Sequence, residues 1–129
     1  MPIVCAALID RGGSVLLQRR PAGKPMAGLW EFPGGKLAAN ESPEAALCRE
    51  LREELALEVE AAALEPLAFA SHAYADFHIL LLLYVCRRWR GEPRAREGQV
   101  FAWVETRRLG DYPMPEPDRP LIARLQALG

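Results

Sequence analysis

The first 28 residues alternate between short apolar runs and glycine-containing breaks. The run "PIVCAALID" at 2–10 is apolar and partly β-branched, "RGG" interrupts it, and "SVLLQRR" at 14–20 is a second short run. Runs of this length that are bounded by turn residues are typical of β-strands. We therefore predict that the chain opens with a β-hairpin, and that the segment "PAGKPMAG" at 21–28, with its two prolines and two glycines, is a loop.

A helix is predicted from about residue 43 to residue 56. Ser42 can cap free helix amides, Pro43 suits the first helical position, and Glu44 faces the positive end of the helix dipole. After Pro43, no glycine or proline interrupts the chain until Pro66. One side of the segment carries apolar residues at helical spacing, namely Leu47, Cys48, Leu51 and Leu55.

Beyond this helix the chain returns to patterns typical of strands. The runs "LEPLAFASHAY" at 64–74 and "FHILLLLYVCRRW" at 77–89 are separated by a polar break at Asp76. The nearly continuous apolar stretch at 79–86 predicts a central strand that is buried on both faces. A further strand is predicted for "QVFAWV" at 99–104. The end "PLIARLQAL" at 120–128 repeats apolar residues at helical spacing, so we expect a closing helix that packs on the sheet.

Length and composition indicate one globular domain that covers residues 1–129. Half of the residues are hydrophobic and 26% are charged, which is close to the average for globular proteins. The formal net charge of −1 gives no overall field that would attract the chain to nucleic acid or to an anionic membrane. A local basic stretch flanks "GEP", and we interpret it as solvated turn residues. It contains Arg87, Arg88, Arg90, Arg94 and Arg96.

The three cysteines do not suggest disulfides or a zinc site. Cys5, Cys48 and Cys86 are odd in number, form no CxxC pair and lie in apolar surroundings, so each is interpreted as a small buried residue. The N-terminal apolar run has no basic leader and stops at Asp10, too early for a signal peptide or a membrane span. We therefore expect a cytoplasmic protein.

An acidic cluster on the predicted helix indicates metal chemistry. Glu53 and Glu54 lie three and four residues after Glu50, so the three carboxylates share one patch of the helix surface. Like charges at this spacing repel each other by about 0.2–0.5 kcal/mol per pair on an exposed helix. Mg²⁺ prefers oxygen ligands, and converging carboxylates together with phosphate oxygens are a usual way to hold it. A bound divalent cation would turn the repulsion into affinity.

At this point the sequence resembles the Nudix family. Gly35, five residues, Glu41, seven residues and then "RELREELAL" at 49–57 match the Nudix box, GX5EX7REUXEEXGU, in which U is a bulky aliphatic residue. Every charged position of the box is present. The one departure is Ala56 at the last glycine of the box, a position that ends the helix and binds nothing. Alanine tolerates positive φ poorly, so the departure concerns the local backbone turn.

The resemblance extends to the MutT branch, the 8-oxo-dGTP diphosphatases, over nearly the whole chain. It rests on "RRPAGKPMAGLWEFPGGK" at 19–36, "REGQ" at 96–99 and "EPDRPLIARL" at 116–125. It implies the α/β Nudix fold, a mixed β-sheet sandwiched between α-helices. It also implies hydrolysis of a nucleoside triphosphate to a monophosphate and pyrophosphate, with Mg²⁺ or Mn²⁺ as the cofactor. An enzyme of this branch removes oxidised dGTP from the nucleotide pool before DNA replication.

The resemblance also implies roles for the acidic residues. Glu53 and Glu54 would bind the metal through their side chains, Gly34 would bind it through its carbonyl group, and Glu97 of "REGQ" would add a further ligand from a loop. Glu50 would be a ligand or the base that orients and deprotonates the attacking water. A metal lowers the pKa of bound water, so the base needs only an ordinary carboxylate pKa. Glu50 and Glu97 both remain candidates for the base.

Basic residues around the box would orient the carboxylates and bind the phosphate groups. Arg49 is expected to orient the carboxylates through its planar guanidinium group. Glu41 could be its structural partner or a metal ligand. Lys36, Arg20 and Arg19 are the nearest cations for the phosphate groups.

Binding of the base requires apolar walls and a few hydrogen-bonding groups. Phe32 and Phe77 are candidate walls. Asp118 occupies the position at which the MutT branch has an asparagine that reads the oxidised purine. Asparagine both donates and accepts, whereas an ionised aspartate only accepts. Asp118 could receive purine N–H groups or the amino group of cytosine, so a CTP or dCTP pyrophosphohydrolase is the alternative enzyme.

Two alternatives lie outside catalysis. A nucleotide sensor with the Nudix fold would bind without turnover, but such domains usually lose box carboxylates, and none is lost here. Binding of nucleic acid through the arginines at 87–96 would depend strongly on salt, and the nearly neutral net charge argues against it. The oligomeric state stays open.

Overall fold

The computed structural model describes residues 1–23 and 25–128, in which two β-sheets are combined with two α-helices. The strands are β1 (Pro2–Leu8), β2 (Ser14–Arg19), β3 (Trp30–Glu31), β4 (Gly34–Lys36), β5 (Leu64–Ala73), β6 (His78–Cys86) and β7 (Val100–Glu105). The helices are α1 (Pro43–Leu55) and α2 (Arg119–Gln126), and short 3₁₀ helices cover Ala61–Ala63, Thr106–Asp111 and Glu116–Asp118. The predicted α/β class is confirmed. Of the predicted loop at 21–28, Lys24 lies outside the described residues.

The two opening strands lie in different sheets, so the predicted hairpin is wrong in its pairing. The larger sheet is mixed and has the order β4-β1-β6-β5, with β1 parallel to β6, whereas β3-β2-β7 is antiparallel. Between β1 and β2 there is only a single bridge, which joins Ile9 and Val15. The predicted turn is present, since Asp10 Oδ1 accepts hydrogen bonds from the amides of Gly12 and Ser14. Strand β2 leaves this turn to pair with β3 and β7 instead.

Strand β1 separates two hydrophobic clusters, one on each face of the larger sheet. Alternate side chains of a strand point to opposite faces. Val4, Ala6 and Leu8 belong to the cluster that contains the apolar side of α1. Cys5 and Ala7 belong to the other cluster, which contains the apolar residues of α2. The predicted arrangement of a mixed sheet between helices is therefore confirmed, and β6 is an inner strand between β1 and β5 as predicted.

Helix α1 begins and ends where the sequence predicts. Ser42 Oγ accepts a hydrogen bond from the amide of Ala45 at 3.1 Å, and Pro43 is the first helical residue. At the other end, Ala56 has φ 59° and ψ 32°, the left-handed conformation that usually belongs to glycine. The four buried residues of the helix are Ala46, Leu47, Leu51 and Leu55. Their burial leaves Glu50, Glu53 and Glu54 on the sides of the helix that face the glycine turn and the solvent.

Neither helix in the described ranges has the length and the apolar character that a membrane span requires.

Candidate active site

The glycine turn of β4 packs directly on β1 and α1. A side-chain carbon at Gly34 would lie 2.6 Å from the Cα atom of Cys5, and one at Gly35 would lie 2.6 Å from each carboxylate oxygen of Glu50. At Gly34 the obstructing atoms belong to the backbone of β1 and leave no room for a side chain, whereas a side chain at Gly35 would have to displace the Glu50 carboxylate. The amide of Gly34 donates to Glu54 Oε1 at 3.1 Å. The turn therefore holds two of the three clustered glutamates against the sheet.

Arg49 is the centre of an ion-pair network on α1. Its Nε donates to Glu41 Oε2 at 2.7 Å and its Nη2 to Glu41 Oε1 at 3.0 Å, while its Nη1 bonds Glu50 at 3.0 Å and Glu53 at 3.3 Å. Hydrogen bonding to Arg49 lowers the pKa of Glu41 to about 2, and these acidic partners raise the pKa of Arg49. Arg49 Nη2 also donates to the carbonyl oxygen of Lys36. Arg49 thus joins β4, which contains the glycine turn, to the acidic side of the helix.

Glu54 is held by neutral donors alone within the described ranges. Gly34 N–H binds one carboxylate oxygen, and Gln18 Nε2 lies 3.4 Å from the other. Burial and the negative charges of Glu50 and Glu97 raise the pKa of Glu54 to about 8. The ionised form of a partly buried carboxylate is destabilised when no cation lies beside it. A cation bound at this point would stabilise the ionised form of Glu54.

The three clustered glutamates differ in their surroundings. Burial and the charges of Glu53 and Glu97 raise the pKa of Glu50, against the lowering effect of Arg49. The Glu53 side chain is 56% exposed and contacts Arg49. Across residues 1–23 and 25–128, no three Asp, Glu, His or Cys side chains lie close enough together to enclose a metal ion by themselves. The set therefore offers carboxylate oxygens from two elements, α1 and the loop that carries Glu97, without a closed cage.

A cavity of about 320 Å³ opens beside Glu54. Of the predicted site residues, it is lined by Arg19, Arg20, Phe32, Gly34, Lys36, Glu54, Glu97 and Asp118. Glu50 and Glu53 are not among its lining residues. Glu50 does contact Gly35, and Gly35 lines the cavity. Phe77 does not reach the cavity, because it lies in the turn between β5 and β6 and stacks on Tyr74 at 4.8 Å between ring centroids. Tyr74 lines the cavity instead.

Two acidic residues that line the cavity, Asp118 and Glu31, interact electrostatically. Asp118 is 9% exposed, and burial together with the charge of Glu31 raises its pKa to about 7, against the lowering effect of Arg20. Burial also raises the pKa of Glu31, which Arg20 Nε binds at 3.0 Å. The thiol of Cys5 is buried beside them, with its pKa raised well above the usual value. Arg20, expected to bind phosphate, thus pairs with a carboxylate in this structure.

The sequence interpretation did not single out Glu31, Tyr74, Gln18 or Gln99, which also line the cavity. Gln18 carried the clearest signal, since it is a polar residue that directly follows the apolar run at 15–17. Gln99 is part of the "REGQ" segment, in which the family resemblance implies a role for the glutamate. The side chain of Gln99 bonds the amide of Glu97 at 2.9 Å.

Comparison with known proteins agrees with this geometry. Residues 4–124 match the model of the NUDIX domain family. The chain belongs to the Nudix family. Because the chain belongs to this family, the predicted enzyme class, a Nudix hydrolase, is confirmed. Nudix hydrolases generally use divalent metal cations, and the general type of cofactor is thereby confirmed as well.

Relatives at high coverage place the chain near MutT. It is 34% identical to the 8-oxo-dGTP diphosphatase of Escherichia coli K12, over 99% of this chain and 98% of that protein. It is 39% identical to the CTP pyrophosphohydrolase of the same organism, over 97% of this chain and 91% of that protein. A solved structure from a study of MutT of Aliivibrio salmonicida and Vibrio cholerae is 31% identical, with a TM-score of 0.81 and full coverage of both chains. The predicted MutT-like branch is confirmed by these matches.

Proposed function

We propose that this protein hydrolyses 8-oxo-dGTP to 8-oxo-dGMP and pyrophosphate with Mg²⁺, and so removes an oxidised nucleotide from the pool used for DNA replication. In this reaction the oxygen of one water molecule bonds to a phosphorus atom, and the bond from that phosphorus to the pyrophosphate oxygen breaks. The water gives up its proton to a base. The E. coli relative named 8-oxo-dGTP diphosphatase matches almost end to end, which supports the choice of substrate class.

The observation that carries the proposal is a single cavity lined by carboxylates and by groups suited to a base. Glu54 and Glu97 supply acidic oxygens, while Phe32, Tyr74 and Asp118 supply aromatic surface and a buried polar group. A nucleotide site needs both kinds of surface within reach of one ligand. The cavity volume of about 320 Å³ falls at the lower end of the range usual for small-molecule sites.

The donor set fits a hard divalent cation. Mg²⁺ takes oxygen ligands, keeps several waters and binds through one or two carboxylates plus substrate phosphates, so a closed protein cage is not required. We assign Glu53, Glu54, Glu97 and the carbonyl group of Gly34 as groups that would hold it, with Glu50 as a further ligand or the base. When bound, the cation would neutralise phosphate charge and make water more acidic. Mn²⁺ would serve similarly.

The chain's own residues would orient the reactants. Gly34 N–H fixes one oxygen of Glu54, and Arg49 holds Glu50 beside the glycine turn. Glu50 lies against Gly35, which lines the cavity, and would accept the proton of water there. Glu97 remains the second candidate for this role. Lys36 lines the cavity as a cation for the phosphates.

Asp118 would read the base as a donor and an acceptor at once. Because its pKa is about 7, a substantial fraction carries a proton near neutral pH. A protonated carboxyl group donates through one oxygen and accepts through the other, as an asparagine side chain does. Guanine presents acceptors at both N7 and O6. In 8-oxoguanine the N7 atom carries hydrogen, so the edge becomes one donor beside one acceptor and matches the protonated group.

A cytidine nucleotide is the second candidate substrate. Ionised Asp118 would accept from the amino group of cytosine, which is a donor. The E. coli relative named CTP pyrophosphohydrolase is 39% identical to this chain, within the range of the 8-oxo-dGTP diphosphatases. Asp118 therefore decides between the two substrates through its protonation state and its surroundings.

The test is kcat/KM for 8-oxo-dGTP, dGTP, CTP and dCTP with Mg²⁺, with both the monophosphate and pyrophosphate measured. A large preference for 8-oxo-dGTP supports the proposal, and a cytidine preference makes the second candidate the answer. Binding of a nucleotide with no turnover of any of the four would overturn both candidate substrates in favour of a different Nudix substrate or a sensor.

A further inference from the structure

Three polar side chains are buried in the described part of the chain, and the proposed function uses only one of them. Asp118 lies in the proposed base site, whereas Gln18 and Gln99, 4% and 8% exposed, lie between the sheet β3-β2-β7 and the end of α1. A buried amide is costly unless its donors and acceptor are bonded. The bonds that these two glutamines make indicate what they position.

Gln99 connects the loop that carries Glu97 to helix α1. Its Oε1 accepts from the amide of Glu97 at 2.9 Å, and its Nε2 donates to the main-chain carbonyl of Glu54 at 3.2 Å. That carbonyl is among the last four of the helix, which have no partner within the helix itself. One side chain thus fixes the main chain at two residues that we assign to the metal.

Gln18 extends this connection to the carboxylate of Glu54. Its Oε1 accepts from Gln99 Nε2, and its Nε2 donates to Glu54 Oε2, both at 3.4 Å. The hydrogen bonds form one directed series from the amide of Glu97, through the two glutamines, to the side chain of Glu54. The series joins Glu97 and Glu54, two of the acidic residues that line the cavity, although they are 43 positions apart in the sequence.

An amide suits both positions of this series, whereas a carboxylate does not. Each glutamine has to accept with its oxygen and donate with its nitrogen, which a carboxamide does and an ionised carboxylate does not. A glutamate at position 18 would also repel Glu54. A hydrophobic residue of similar length would fill the space and leave Glu54 Oε2 with one donor fewer.

We propose that Gln18 and Gln99 form a two-amide bridge that positions the Glu97 loop against Glu54 and thereby sets the affinity for the divalent cation. They are positioning residues, and the inference rests on the proposed function for the identity of the site. Groups that orient metal ligands typically change metal affinity or activity by about 10- to 100-fold when they are removed. The bridge therefore predicts losses of that size.

Direct metal binding tests the bridge without turnover. Mn²⁺ alone is titrated into the protein, and free Mn²⁺ is followed by its electron paramagnetic resonance signal. Gln18→Met and Gln99→Met keep side-chain length and remove the hydrogen bonds, so each should bind Mn²⁺ about 10-fold more weakly or worse than the wild type. The control is Gln126→Met, since Gln126 donates to the carbonyl of Thr106 at an exposed position on α2, outside the cavity. It should bind Mn²⁺ as the wild type does.

The double variant separates a bridge from two independent contributions. In a connected series, breaking either glutamine breaks the whole connection, so Gln18→Met/Gln99→Met should bind Mn²⁺ within about 2-fold of the weaker single variant. Independent effects would multiply instead. Multiplied losses, unchanged affinity in both single variants, or an equal loss in Gln126→Met would each overturn the bridge.

The dependence of hydrolysis on Mg²⁺ distinguishes positioning from loss of folded protein. The bridge predicts a higher half-activating Mg²⁺ concentration for both single variants, with most of kcat recovered at saturating metal. Loss of folded protein would lower the rate by the same factor at every Mg²⁺ concentration, and that result would overturn the bridge. If the wild type hydrolyses none of the four nucleotides, the proposed function fails, and the Mn²⁺ titration still decides the bridge on its own.

Discussion

Gly35 packs against the carboxyl group of Glu50 so closely that a side-chain carbon at position 35 would lie 2.6 Å from each carboxylate oxygen. The close contact joins the glycine turn of β4 to the acidic side of α1. It explains in steric terms why a glycine stands at the first position of the Nudix box. The carboxylate of Glu50 occupies the space that a methyl group would need.

Gly35→Ala should therefore displace Glu50 while the fold is retained. The obstructing atoms are the end of a flexible side chain, so the carboxylate can move aside at small cost in stability. Because misplacement of a catalytic group by about 1 Å can cost on the order of 10²-fold in rate, kcat/KM should fall about 10- to 100-fold. Steady-state kinetics and thermal unfolding check this, with Gly12→Ala, in the turn after β1, as the control. Normal kinetics in Gly35→Ala would show that the position of Glu50 does not limit the reaction.

Glu54→Gln should preserve the fold and remove most of the hydrolysis. Glutamine can keep the hydrogen bond from Gly34 N–H, but it lacks the negative charge that would hold the cation. We expect kcat/KM to fall by about 10²-fold or more, and the far-ultraviolet circular dichroism spectrum to stay unchanged. Glu58→Gln is the control, since Glu58 is an exposed residue whose nearest ion pair, with Arg52, is 3.8 Å long. Near-normal turnover in Glu54→Gln would remove Glu54 from the metal site.

Asp118→Asn should alter the pH dependence of stability in a definite direction. The pKa of Asp118 is raised from 3.8 to about 7, so the folded state holds its proton more tightly than the unfolded state does. The free energy of unfolding should consequently decrease as pH rises from about 4 to about 7. Asparagine has no charge to bury, so the variant should be more stable than the wild type at pH 8, by on the order of 2 kcal/mol, and similar to it at pH 4.

Denaturant titration at several pH values measures this difference. Glu54 also has a raised pKa and adds a slope of the same sign, but it does so in both proteins and cancels in the comparison. The charge of Glu31 interacts with that of Asp118, so any change in the titration of Glu31 is part of the measured difference. Parallel stability profiles for the two proteins would contradict a raised pKa at Asp118. In kinetics, kcat/KM for 8-oxo-dGTP relative to dCTP should decline above pH 7 in the wild type and stay level in Asp118→Asn.

Ala56→Gly should stabilise the protein. Ala56 has φ 59°, and an L-residue in the left-handed region costs roughly 1–2 kcal/mol, which glycine avoids. Glycine also makes the unfolded chain more flexible, which offsets about 0.4–1 kcal/mol of the gain. The net increase in the free energy of unfolding should be about 0.5–1 kcal/mol by denaturant titration. Ala123→Gly should instead lower the free energy of unfolding, because Ala123 lies inside α2, where glycine is less favourable than alanine.

The elements with local signals could be predicted from the sequence. Ser42 and Pro43 mark the start of α1, the leucine stripe marks its buried side, and β6 follows the apolar stretch at 79–86. The partners of β1 and β2 could not be predicted in the same way. Both runs are apolar and flank a turn. This pattern fits a hairpin, in which the two strands pair with each other, and it fits equally well two strands that belong to different sheets. The choice depends on β6, β4, β7 and β3, which lie further along the chain.

The same distinction applies to the candidate site: groups on one helix could be predicted to lie together, whereas contacts between different elements could not be predicted. The glutamates of α1 have a helical spacing that places them together, so their proximity follows from local geometry. Phe77 and Tyr74 are three residues apart in a turn, and only the path of that turn decides that Tyr74 lines the cavity. The ion pair of Arg20 with Glu31 joins β2 to β3, so it depends on a strand pairing that the apolar pattern does not determine.

The division of the strands between two sheets has a consequence for dynamics. Cavity residues come from both sheets: Ile3, Gly34 and Leu81 from the larger one, and Gln18 and Glu31 from the smaller one. A nucleotide that contacts both sheets holds them together and has to leave before they can separate. It should therefore slow amide hydrogen exchange in β1 and β2 by the same factor, since both depend on one opening event. The bound substrate would thereby add a link between the first two strands, which the chain itself pairs, within the described residues, at the Ile9–Val15 bridge alone.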